Sequence, residues 1–76
     1  MITVKLYGLL RIESGIKEKQ LEVFSVKEVL ETLSECGVSR KELSSCVILI
    51  NGNSANKRSK LKDGDTVVLM SPVAGG

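Results

Sequence analysis

The stretch SPVAGG closes the 76-residue sequence and offers one group with distinctive chemistry, the carboxylate of Gly76. A free carboxylate is a poor electrophile, but ATP converts it to an acyl-adenylate that sulfur or nitrogen nucleophiles attack. Such a reaction takes place in a partner's pocket, so the chain end must thread a narrow channel. Gly75 and Gly76 carry no side chains and give the slimmest backbone for that passage. Pro72 biases Ser71 toward extended backbone, which makes Ser71-Pro72 a stiff stem. The plainer account is a frayed terminus, because a Gly-Gly end has much freedom to lose and adds nothing to a core.

Few other residues compete for a chemical role. The sequence has no histidine for acid–base work near neutral pH. It contains no nucleophile elbow, P-loop or dinucleotide fingerprint, and the glycines at 8, 15, 37, 52 and 64 are spread one per turn. The glutamates fall mostly at positions expected to face solvent, so a catalytic carboxylate pair is not expected. Cys36 and Cys46 are read as buried core fillers of a cytosolic protein; two thiolates alone make a poor zinc site, and no metal is expected. KRSKLK carries Lys57, Arg58, Lys60 and Lys62, a solvated loop or a docking patch for an acidic partner. No aromatic is interleaved there to stack on bases, and a net charge of +2 does not argue for nucleic acid.

The elements that must position the chain end are legible from periodicity. ITVKLY alternates Ile2, Val4 and Leu6 against Thr3, Lys5 and Tyr7, which predicts a half-buried strand. LLRIESGIKEK is expected to carry a turn, after which QLEVF resumes the alternation to complete a hairpin. Ser25 precedes Glu28 by three residues, a capping box, with Phe24 and Val29 placed as a hydrophobic staple. Val26, Val29, Leu30, Leu33 and Cys36 then repeat at helical spacing up to a stop at Gly37. Ser39 and Glu42 suggest a second, short helical turn.

CVILI is a continuous apolar run of strand length, expected to be buried on both faces or central in a sheet. Asn51-Gly52 predicts a tight turn. Residues 53–62 read as a loop with at most a short edge strand, Asp63-Gly64 as another turn, and TVVLM as the last strand. Only Tyr7 and Phe24 are aromatic, so Leu, Val and Ile must build one thin core. No apolar run is long enough for a membrane span, and no signal-peptide layout opens the chain. The order gives an α+β class, the ubiquitin-like β-grasp: a mixed sheet of four to five strands packed on one main helix. In that layout residues 1–70 form the domain, and the first and last strands pair in parallel at the sheet's centre. Residues 71–76 form an extended tail thrown past its edge.

With fold and tail in view, the whole chain resembles the small, sulfur-carrying subunit of molybdopterin synthase. The likeness rests on IxVKLYGLLR at the start, the spacing of RIESG, ING at 50–52, LKDGD at 61–65 and PVAGG at the end. The family usually shows two prolines and an aromatic in the tail, where this chain has Met70-Ser71-Pro72. Thiamine-pathway and tRNA-thiolation sulfur carriers and archaeal ubiquitin-like modifiers share the fold and the Gly-Gly end. They remain alternatives, as does a plain β-grasp binding module.

The resemblance implies that a ubiquitin-activating-type enzyme adenylates Gly76 with ATP and that a persulfide donor converts it to a thiocarboxylate. The carrier then docks on the large subunit of molybdopterin synthase, in a heterotetramer, and gives sulfur to cyclic pyranopterin monophosphate. On this reading the chain binds no cofactor itself and catalyses nothing alone. Met70, Ser71, Pro72, Val73, Ala74 and Gly75 would contact partners, with grip from the sheet face at Val68, Met70 and Pro72. Ordering six tail residues costs about 6–12 kcal/mol, which trims affinity and suits a carrier that must leave each partner.

Overall fold

Ile2, Val4 and Leu6 are almost wholly buried and alternate with more exposed neighbours, so the first strand, β1 (Ile2–Tyr7), presents one face to the core. The computed structural model describes residues 1–71. Gly8, at φ +69°, takes the chain out of β1, and a short helix follows, α1 (Leu9–Ser14). This corrects the expected turn. Leu10 is buried and pins the segment to the core, while Gly15 closes it in the left-handed conformation. Six residues between two glycines are too few to display a helical period in sequence.

Strand β2 (Glu18–Leu21) returns antiparallel to β1, with Leu21 opposite Ile2. It ends earlier than the QLEVF pattern suggests, because β1 offers no partner beyond Ile2. The chain then pairs elsewhere: Ser25 bridges Lys60, and the Leu61 amide donates to the Phe24 carbonyl at 2.8 Å. Those bonds fix the backbone with the Phe24 ring 75% exposed, so the expected staple onto Val29 is not a buried contact. Val29 is instead covered by the main core.

The central helix, α2 (Val26–Glu35), is capped as the sequence indicates. Ser25 Oγ accepts the Glu28 amide, and Glu28 Oε1 reaches back to the Ser25 hydroxyl and the Phe24 amide. Val26, Val29 and Leu33 form its buried stripe. Cys36 caps the end and is exposed, which corrects its assignment as a core filler: the stripe stops one turn earlier, and Val38 takes the next core position. A short helix, α3 (Arg40–Ser45), capped by Ser39, buries Leu43.

Strands β3 (Val47–Ile50), β4 (Asn53–Ala55) and β5 (Thr66–Met70) complete the sheet. Its order is β2-β1-β5-β3-β4, with β1 and β5 parallel and the other pairs antiparallel. Asn51 and Gly52 both have positive φ, as a two-residue hairpin turn between β3 and β4 requires. The strand buried at the centre is β5, not β3. Only Ile48 of β3 is buried, and Val47 is 43% exposed, because no described helix covers the sheet's second face. This is the mixed five-stranded sheet and helix of the ubiquitin-like β-grasp.

Candidate functional site

Strand β5 delivers the chain to the end of the sheet beside β1 and β3, with Met70 opposite both Tyr7 and Val47. The next row pairs Val68 with Lys5 and Leu49. Burial alternates along each strand, so Val67 and Leu69 point into the core while Val68 and Met70 share the outer face with Tyr7, Val47 and Leu49. An apolar strip therefore lies on the open sheet face where the tail departs. Tyr7 and Val47 are 41% and 43% exposed, and the other three are half-buried. A tail root flanked by apolar surface can seat a partner while the chain end enters its pocket.

Val68 and Met70 were legible in sequence as candidates for this face. Tyr7, Val47 and Leu49 were not, because only strand register brings them into rows. The unbroken apolar run CVILI was the available signal: a strand with one covered face does not need apolar residues on the other. Pro72, Val73, Ala74, Gly75 and Gly76, which carry the expected chemistry, lie outside the described residues.

The turn before β5 is held by a compact polar network. Asp65 accepts the Lys62 amide at 2.8 Å and the Asn51 side-chain amide at 2.9 Å, and Asn51 Oδ1 accepts the Thr66 amide at 2.9 Å. The Lys62 amide, followed by the Asn51 amide, lowers the Asp65 pKa by favouring the carboxylate. LKDGD and ING are thus tied to each other, and together they fix where β5 begins. The Met1 ammonium pairs with Asp63 and the Met1 carbonyl accepts the Gly64 amide, anchoring β1 to the same turn.

The four basic residues do not line one cavity. Lys57 borders a groove of about 280 Å³ between α2 and α3, together with Lys27 and Arg40, which sequence did not single out. Lys57 and Arg58 also border a second recess beside Cys46 and Ala55. Lys60 is engaged through its backbone bridge to Ser25, and Lys62 stands by the Asp65 turn. Cys46 is partly buried; burial raises its pKa, and its thiol donates to the Leu43 carbonyl at 3.1 Å. A thiol held protonated in this way is a weak nucleophile. Among the described residues no group of three His, Cys, Asp or Glu side chains converges to hold a metal.

A family model, the ThiS family, matches residues 4–76. The chain belongs to the ThiS family. No curated protein matches it in sequence. Among solved structures, the small archaeal modifier protein 1 (SAMP1) of Methanosarcina acetivorans is 30% identical, with a TM-score of 0.83, 99% of this chain covered and 95% of that one. A chain of the complex of subunits 1 and 2 of molybdopterin-converting factor from Helicobacter pylori 26695 is 28% identical. Its TM-score is 0.75, over 99% of this chain and 97% of that one. The putative molybdopterin-converting factor subunit 1 of Pyrococcus furiosus is 25% identical, with a TM-score of 0.78, over 95% and 97% of the two chains. The fold of this ThiS-family chain is that of the ubiquitin-like sulfur carriers. Among the described residues no helix is long and apolar enough to cross a membrane.

Proposed function

We propose that this chain is a sulfur carrier whose Gly76 carboxylate is adenylated, converted to a thiocarboxylate, and used to build the dithiolene of molybdopterin. The observation that carries this reading is that the family match runs through residue 76, so Gly75 and Gly76 fall inside the family's pattern. Support also comes from β5, which ends beside an exposed apolar strip at the tail root.

In the activating enzyme a Gly76 carboxylate oxygen attacks the α-phosphorus of ATP, and pyrophosphate leaves. A persulfide sulfur then displaces AMP, and a second thiol cleaves the resulting S–S bond to leave the thiocarboxylate. The apolar strip next docks on a large synthase subunit, where the tail brings sulfur to cyclic pyranopterin monophosphate. The catalytic side chains belong to the partners. The likeness to a chain of a two-subunit molybdopterin-converting factor supports that assignment.

The test is intact-mass spectrometry with an activating enzyme, ATP and a sulfur donor. The mass should rise by the exchange of one oxygen for sulfur. Deleting Gly76, or adding a residue after it, should abolish the shift and leave the folded domain unchanged. Normal thiocarboxylation of an untrimmed, extended chain would overturn the reading.

A second reading is favoured by the likeness to a small archaeal modifier protein. Here a lysine amine, rather than sulfur, attacks the activated Gly76 and forms an isopeptide bond. Immunoblots for conjugates larger than the free chain separate the two, since a pure carrier forms none.

A further inference from the structure

Helix α1 begins without a cap of its own. Its N-cap is Gly8, which has no side chain, while the Gly8 carbonyl accepts the Arg11 and Ile12 amides at 3.1 Å each. The amide left for an N-cap side chain at the second helical position is that of Leu10. It donates instead to Ser71 Oγ, at 3.3 Å and 61 residues away in sequence. The Ser71 hydroxyl in turn points its donor toward the Tyr7 carbonyl at 3.5 Å, a weaker contact.

Gly8 makes this approach possible in two ways. Its φ of +69° turns the chain from β1 into α1, and a Cβ at this position would stand 2.7 Å from Ser71 Oγ. Ser71 itself is half-buried and directly follows Met70, the last residue of β5. The first residue beyond the sheet is therefore fastened to the corner between β1 and α1.

We propose that Ser71 is a positioning residue: its hydroxyl supplies the missing N-cap of α1 and thereby fixes where, and in which direction, the tail leaves the domain. This rests on the sulfur-carrier reading for its consequence but not for its geometry. A root fixed in the free carrier need not be ordered during docking, so the hydroxyl lowers the KM for the carrier and leaves the chemical step alone. Ser71 also links the tail to α1, whose Leu9 and Ile12 are exposed beside that corner.

The test compares the full chain with Ser71→Ala and Ser71→Thr. Amide hydrogen exchange of Leu10, followed by NMR, should accelerate in S71A and remain slow in S71T, which keeps the hydroxyl. In ATP–pyrophosphate exchange with the activating enzyme, S71A should raise the KM for the carrier about two- to tenfold with kcat unchanged, and S71T should restore it. Unchanged Leu10 exchange in S71A overturns the cap. Accelerated exchange with an unchanged KM overturns the positioning role. An activating enzyme that ignores the wild-type chain as well would sink the carrier reading, and the Leu10 exchange would still decide the cap.

Discussion

Asp65 gathers the amides of Lys62 and Asn51 at the point where the central strand begins, and its charge is what they recognise. Its pKa is lowered in the folded state, so its contribution is present above the ordinary carboxylate value and fades as pH falls through the lower folded one. Asp65→Asn should therefore lower the melting temperature at pH 7, with the difference from wild type vanishing in acid; thermal melts across that range check it. The two cysteines differ in the same residue-level way. Cys36 is exposed, whereas Cys46 is partly buried with a raised pKa, so a thiol reagent at neutral pH should label Cys36 first. Equal labelling rates would contradict that order. Neither difference is visible in sequence. Cys36 continues the spacing of the helix's apolar stripe, and only the helix end at Glu35 removes it from the core.

Among the elements, those written in local chemistry were the most legible. The Ser25–Glu28 pair starts α2, and Asn51-Gly52 turns β3 into β4, because each is a contact between near neighbours. Ser25→Ala should cost about 1 kcal/mol in denaturant unfolding, since the Glu28 amide loses its acceptor. Helix α1 was missed for the opposite reason. Its buried anchor is one residue, Leu10, and the acceptor for the Leu10 amide comes from the far end of the chain. The site divides along the same line. Met70 and Val68 could be named from their place at the end of TVVLM, but the continuous apolar run does not say which face they take, and Tyr7, Val47 and Leu49 join them only through strand register.

Taken whole, the molecule presents two unlike surfaces. The open sheet face is apolar around the tail root, and the helical side carries a groove bordered by Lys27, Arg40 and Lys57. Val47→Asp puts a charge into the apolar strip at an exposed position, so stability should change little. Affinity for an activating enzyme or large subunit should fall about tenfold or more by calorimetry, because a desolvated apolar contact becomes a buried charge. Reversing Lys57 and Arg58 should instead slow association and flatten its salt dependence, read by stopped flow. The central place of β5 also bears on how the protein is made. Strands β1 and β3 each pair with β5 and not with each other, so the sheet cannot close around its middle until residues 66–70 have been synthesised. A chain cut short before β5 should therefore lack a closed sheet and be open to proteolysis, which limited proteolysis checks. Folding thus screens for a finished sheet: a chain that stops before residue 66 is removed, whereas one that stops after Met70 still passes as a folded domain.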